Sequence, residues 1–324
     1  MITVIVTAYN RKEFLHEAMN SLVNQTLDKQ YFEVVLLTNF EYDTSSYDSI
    51  NIRHFILEGS VGEYMYKAIE VAKGEILCFL DDDDLYDRNK LLIILNNFSE
   101  TTVYFKHNIQ PFHSITELNE GASIYRNKLR NIHSKNIKHP NLFAYNRTSI
   151  ALRKSFISVY LEQLRGLDVS EDWFFFLSFT SSNEKGVYDS DKLSFYRKHD
   201  NVSRSALRKS DKNYESYINY IFRLMDSFNY MKGIFKHPKA QKVLNFQLSV
   251  FKIRLALLCE ERNSLLKNKD LKNLWEASLT NYNEFWLIKA LFVRGFILFY
   301  FPALSTLSEH LYEKMSKVIN SLDS

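Results

Sequence analysis

Cysteine is nearly missing from these 324 residues, with Cys78 and Cys259 the only two. Cys78 lies inside an apolar run that reads as a core strand, so neither a disulfide framework nor a cysteine zinc site is available. Glycine is scarce, at 8 residues, and past Leu207 only Gly233 and Gly295 remain. Few loops are expected there, which favours long helices. The opening MITVIVTAYN lacks the basic flank and long apolar core of a secretory leader, so the chain is expected in the cytoplasm. Neither a dense Lys/Arg run nor a nucleic-acid-binding motif is found, and no nucleic-acid partner is expected.

What is present points to a folded protein: 46% hydrophobic, 24% charged and 15% aromatic residues. The length suits one sizeable domain with an appendage, or two modest ones. A net charge of +3 hides an asymmetry. Residues 1–100 carry 8 Lys+Arg against 17 Asp+Glu, and the remainder carries 33 against 21. An acidic front suits a cation site, and a basic rear suits phosphates or an anionic membrane surface.

The chain is organised around GEILCFLDDDDL, from Gly74 to Leu85. Ile76 to Leu80 form an unbroken apolar run, the pattern of a strand buried on both faces of a parallel sheet. Asp81 to Asp84 follow directly, at the carboxyl end of the strand, where open α/β sheets bind ligands. Adjacent carboxylates repel, so the run needs solvent, helix N-termini or a cation to offset it. A solvated acidic loop is the plain alternative; a hard divalent cation with oxygen ligands is the functional one.

Taken in order, Ile2 to Val6 reads as a first buried strand. Asn10 with Glu13 reads as a capping box for a helix that buries Phe14, Leu15, Ala18, Met19, Leu22 and Val23. Val34 to Leu37 reads as a second strand, and Arg53 to Leu57 as a third. A helix opens at Gly59-Ser60-Val61-Gly62, with Gly74 as its terminating residue. After the aspartates come an amphipathic helix around Leu91 to Phe98 and a strand at Val103 to Phe105. Strand and helix alternate as in a doubly wound nucleotide-binding α/β domain.

The segments VIVTAYNRKEFLHEAMNSLVNQT, EVVLLTN, VGEYMYKAIEVAKGE, ILCFLDDDDLYDRNKL, SEDWFFFL and KLSFYRKHDNVS, in that order, resemble a family 2 glycosyltransferase of the GT-A fold. The resemblance covers roughly residues 1–205. It implies an α/β GT-A catalytic domain, Rossmann-like and doubly wound with a mostly parallel sheet, over 1–205, and a mainly α-helical domain over 206–324. It implies transfer of a sugar from a nucleoside diphosphate to an acceptor hydroxyl with inversion, using Mn²⁺ or Mg²⁺. Asp81-Asp82-Asp83 matches the family's DxD motif, with Asp83 implied as the metal ligand, Asp81 near the ribose and Asp82 on the nucleotide side. Asp84 has helix capping as its simpler role. Thr7, Ala8 and Tyr9 match the segment that holds the nucleobase. Asn39 stands where the family commonly has a base-binding Asp, and Tyr66 and Ala68 depart from the Asn and Gly often found there. Asp172, in Glu171-Asp172-Trp173, matches the general base, although a helix N-terminus capped by Ser170 accounts for the same residues. His199 falls where some relatives place a histidine against metal or diphosphate, with Arg197 and Lys198 as phosphate partners.

Long helical patterns fill the rear third. Residues 285–304, FWLIKALFVRGFILFYFPAL, are the most apolar stretch, but Lys289, Arg294 and Pro302 interrupt a bilayer span. An in-plane helix on the cytoplasmic face of a membrane fits better; a bundle core or an interface with a second copy of the chain is the alternative. The first functional expectation is thus a metal-dependent inverting transferase acting on a glycan or lipid-linked acceptor. The other is a non-catalytic sugar-nucleotide or glycan-binding subunit that kept the fold, with a retaining transferase third.

Overall fold

The computed structural model describes residues 1–118, 129–137, 143–198, 214–258 and 267–278. The chain divides into two compact units, one made of Met1–Ile137 with Asn141–Asp200, the other of the remaining residues.

The first unit opens with β1 (Ile2–Ala8), α1 (Leu15–Val23), β2 (Phe32–Thr38), β3 (Ile52–Ile56), α2 (Val61–Val71) and β4 (Ile76–Asp81). It continues through β5 (Leu85–Tyr86), α3 (Lys90–Asn97), β6 (Thr102–Phe112), α4 (Ile115–Leu118), β7 (Leu129–His133) and β8 (Ile150–Arg153). Two short helices, α5 (Lys154–Ser158) and α6 (Leu161–Arg165), lead to α7 (Glu171–Ser181) and β9 (Lys185–Arg197). One mixed sheet results, in the order β3-β2-β1-β4-β8-β6-β9-β5, with β7 paired to β9. The apolar runs predict its parallel half: every residue of β1 and β2 is buried, as helices on both faces require. Beyond β4 the pairs β4–β8, β6–β8, β5–β9 and β7–β9 are antiparallel, whereas β6 and β9 run parallel. Helix α7 is buried continuously from Phe174 to Thr180, and its rings stack on the sheet, Phe175 on Phe79 and Phe179 on Tyr104, both at 4.7 Å.

This order creates the crevice. From β1 the chain moves to β2 and β3 on one side, then α2 carries it back to β4 on the other. The carboxyl ends of β1 and β4 diverge into a topological switch point, where open α/β sheets bind ligands. In the register of these two strands Thr7 lies opposite Asp81.

Two local expectations are corrected. Helix α1 starts at Leu15 with Phe14 as its N-cap, not at Asn10. Asn10 is held at φ 55° and its backbone N–H donates to Asn39 Oδ1 at 2.8 Å, so it turns the chain out of β1 instead of capping a helix. The capping box sits at α2, where Ser60 and Glu63 bond each other's backbone N–H at 3.3 and 2.9 Å. Helix α2 is capped by Ala72, not Gly74. Gly74 is needed for close approach, since a Cβ there would lie 2.5 Å from the Thr3 nitrogen.

The described part of the second unit is helical: α8 (Tyr214–Ile234), α9 (Pro238–Leu258) and α10 (Asn268–Ser278). Phe228 of α8 meets Phe251 of α9 edge to face at 5.0 Å, and Lys252 of α9 pairs with Asp270 of α10 at 3.1 Å. Among the described residues no helix is long and apolar enough to cross a membrane. Both 285–304 and His199 lie outside the described residues.

Candidate active site

The four aspartates occupy four different environments. Asp81, the last residue of β4, receives Arg147 Nε on its Oδ1 at 2.6 Å and is ion-paired with Nη2 of the same guanidinium. Asp82 is 7% exposed and takes Arg11 in a forked pair, Nε at 2.9 Å and Nη2 at 2.5 Å. Burial pushes its carboxyl up, and the Arg11 hydrogen bond opposes that shift. Asp83 Oδ2 lies 2.7 Å from the same Arg11 Nη2. Asp84, at 1% exposure, accepts from Asn146 Nδ2 and from the Arg197 backbone N–H, both at 3.2 Å. Burial, and then the charges of Asp81 and Asp83, hold its carboxyl well above the usual range. Asp84 therefore ties loops together and caps no helix. The repulsion within the run is offset by two guanidinium groups.

Arg147 reaches further. With its side chain only 9% exposed, it donates through Nη2 to Thr7 Oγ1 at 2.5 Å, and its Nη1 lies 2.6 Å from Glu171 Oε1. One guanidinium thus joins the end of β1, the end of β4 and the first turn of α7. Asp172, the next residue on that turn, accepts the Asn146 backbone N–H at 3.2 Å on Oδ2 and the Trp173 N–H at 2.8 Å on Oδ1. Ser170 occupies the N-cap position at φ 70° but makes no side-chain cap bond. The acid run and the Glu171-Asp172 pair, separated by about ninety residues in the sequence, therefore face one crevice.

Just past the ends of β1, β2 and β3 lie Tyr9, Asn10, Asn39 and Glu58. Tyr9 is 52% exposed; its hydroxyl donates to Glu58 Oε2 at 3.2 Å, and its ring meets Tyr64 edge to face at 6.1 Å. Asn39 Nδ2 donates to Asn10 Oδ1 at 2.7 Å and Glu58 Oε1 at 3.4 Å. Ala8 is buried within β1. Arg197 is not poised for a phosphate: at 6% exposure it lies between the Phe14 and Phe112 rings, donates to the Asp83 carbonyl at 3.0 Å and pairs with Glu17.

Sequence reasoning missed Arg11, Arg147 and Glu58, and also two lysines that hold the segment bearing Arg147. Buried Lys106 donates from Nζ to the Tyr145 carbonyl at 2.5 Å and to Ser149 Oγ. Buried Lys90 donates to the Thr148 carbonyl at 2.5 Å and Ser194 Oγ at 3.0 Å. Burial pulls the Lys106 ammonium down to about 7, against the opposing charge of Asp172. Unfolding restores the ordinary value of 10.5, so between those limits the unfolded chain binds more protons and stability rises with pH. Lys106→Met is expected to flatten this rise by up to about 1.4 kcal/mol per pH unit. Urea unfolding of both proteins at pH 7, 8 and 9 measures it. Parallel stability profiles would mean that Lys106 stays charged in the fold.

The donor atoms of the acid run are all oxygen, the kind that suits a hard cation. As arranged they are engaged by arginine, and among the described residues no group of three or more His, Cys, Asp or Glu side chains is arranged to hold a metal ion. Beside Asp84, the buried Oδ1 of Asn146 has no hydrogen-bond partner, a further oxygen that the cluster leaves unused.

A doubly wound sheet with an acid run at its switch point is a ligand-binding arrangement of the nucleotide-binding α/β class. Comparison with known proteins agrees: residues 3–161 match the model of Glycosyl transferase family 2. The poly(ribitol-phosphate) beta-glucosyltransferase of Bacillus spizizenii is 32% identical over 110 residues, which is 31% of this chain and 17% of that protein. The crystal structure of S. aureus TarS 1–349 superposes with a TM-score of 0.54 at 15% identity, covering 99% of this chain and 91% of that one. Its complex with UDP-GlcNAc gives 0.53 at 16% identity, with the same coverage. The first unit of this chain is a family 2 glycosyltransferase domain of the GT-A fold. The matched segment of the Bacillus relative is a small part of its length.

Proposed function

We propose that the chain is an inverting glycosyltransferase that moves a sugar from a nucleoside-diphosphate sugar to a hydroxyl of a glycan or lipid-linked acceptor. The observation that carries this reading is the meeting of Asp81 and Glu171-Asp172 across one guanidinium at the switch point. Three demands follow from the reaction: charge on the departing diphosphate must be offset, the acceptor hydroxyl must lose a proton, and both reactants must lie in line. Asp172 is the proton acceptor in this reading, oriented by the Asn146 and Trp173 amides. Tyr9, with Asn39 and Glu58 beside it, lies at the nucleobase end, and Thr7 and Asp81 lie at the junction toward the sugar.

The acids placed here outnumber the two arginines, so a diphosphate would enter a negative site. A divalent cation would fit at Asp83 once Arg11 yields to it, with Asp81 kept in place by Arg147, and when bound would supply Lewis-acid neutralisation of the leaving group. The names of two similar proteins, a poly(ribitol-phosphate) glucosyltransferase and a TarS crystallised with UDP-GlcNAc, support a sugar-nucleotide donor.

Thermal-shift titration with UDP, GDP, CDP and ADP, each with EDTA, Mg²⁺ or Mn²⁺, tests the reading. One diphosphate is expected to raise the midpoint only with a cation, because a ligand bound by the native state alone adds its binding free energy to stability. No shift with any diphosphate would overturn the donor assignment. Binding without transfer or donor hydrolysis would make the chain a sugar-nucleotide-binding subunit.

A further inference from the structure

Arg147 comes from a segment without any motif of its own, yet its guanidinium spans three elements of the crevice. Its Nε holds Asp81 at 2.6 Å, its Nη2 holds Thr7 at 2.5 Å and its Nη1 faces Glu171 at 2.6 Å. Its own backbone is immobilised from two directions. From β6 and α3, Lys106 and Lys90 bind the carbonyls of Tyr145 and Thr148. The preceding residue Asn146, held at φ 62°, gives its backbone N–H to Asp172 and its amide to Asp84. A non-glycine residue in the left-handed region is costly and persists only where surrounding contacts over-determine it. The same few residues therefore fix the guanidinium and contact the base candidate.

We propose that Arg147 is a positioning residue for transfer, which locks the donor-side Asp81 and the acceptor-side Glu171-Asp172 pair into one geometry. This rests on the glycosyltransferase reading above. The chemical logic is charge balance. Without the guanidinium, Asp81 and Glu171 face each other unpaired, and Glu171 adds its uncompensated charge to that of its neighbour Asp172. Like charge disfavours ionisation, so Asp172 would take up its proton at higher pH. Among the groups around Asp172 are Glu171 and the Trp173 amide on α7, the Asn146 amide on the segment before β8, and Lys106 and Tyr104 on β6, both of which interact electrostatically with it.

The test reads the Asp172 carboxyl by NMR in the full chain carrying ¹³C-labelled aspartate, with the Asp172→Asn spectrum as assignment. Arg147→Met is expected to raise its pKa by about half a unit or more. Glu171→Gln alone, which frees the guanidinium from one partner, is expected to lower it, and the double variant should return toward the parent value. Arg147→Lys should keep the parent titration while kcat falls about tenfold or more with donor KM little changed, because the charge remains and the fork is lost. If Arg147→Met does not fold, Glu171→Gln and Arg147→Lys still decide. A parent-like titration in Arg147→Met, or a Glu171→Gln shift that is absent or upward, would overturn the proposal, as would full kcat in Arg147→Lys. The titration is independent of turnover. Shifts as stated in a protein that transfers no sugar would instead sink the functional reading.

Discussion

Asp172→Asn is expected to lower kcat for transfer by about a thousandfold while leaving fold and donor affinity intact. The asparagine keeps the shape of the side chain, and its carbonyl oxygen can still accept the Asn146 N–H that Asp172 receives at 3.2 Å. What it loses is the basic carboxylate that takes a proton, and general-base contributions run to about 10²–10⁴ in rate. Helix α7 should survive, because its stability comes from the buried run Phe174 to Thr180 and the stacking of Phe175 and Phe179, not from its first turn. Loss of Glu171 is a useful contrast, since that carboxylate serves Arg147 and not the acceptor in this reading. Steady-state rates at saturating donor, with circular dichroism as the control on folding, measure the effect. Unchanged turnover in Asp172→Asn would remove it from the mechanism and leave the Glu171-Asp172 pair as a helix N-terminus with favourable charge.

The parallel half of the sheet was readable because strands buried on both faces write themselves as apolar runs, and β1, β2 and β4 do so nearly without a break. The acid run at the end of β4 was readable for the same reason: the strand ends where the charges start. The mixed half beyond β4 was not. Strand β8 spans only Ile150–Arg153, too short for a pattern, yet it inserts between β4 and β6 and delivers Arg147 to the crevice. Nothing in NRTSI marks that arginine, because its partners lie 66 residues or more upstream or on the distant first turn of α7. The only signal would have been the acid excess itself: a run of buried carboxylates calls for cations somewhere, and the sequence does not say which. The capping box expected at Asn10 forms instead at Ser60. Both have a glutamate three residues on, but the Asn10 amide is claimed by Asn39 from a neighbouring strand end, a contact invisible in local sequence.

Substituting Asp83 and Asp84 singly should separate two kinds of aspartate within the run. Asp83→Ala is expected to keep the fold, since Arg11 retains its forked pair with Asp82, while transfer falls by about 10²–10³ through loss of charge neutralisation at the diphosphate. Asp84→Ala should do the reverse. It strips the acceptor from the Asn146 amide and from the Arg197 backbone N–H in a buried place, and two unmet donors cost about 2–4 kcal/mol together. Asp84→Asn should fall between the parent and Asp84→Ala, because it keeps one acceptor oxygen but turns an amide NH2 toward the other donor. Urea unfolding and transfer rates on the same three preparations give both axes. Asp83→Ala with full activity would break the link between the acid run and the donor. An Asp84→Ala protein as stable as the parent would mean that the Asn146 amide and the Arg197 N–H find other acceptors, and that Asp84 does not tie these loops together.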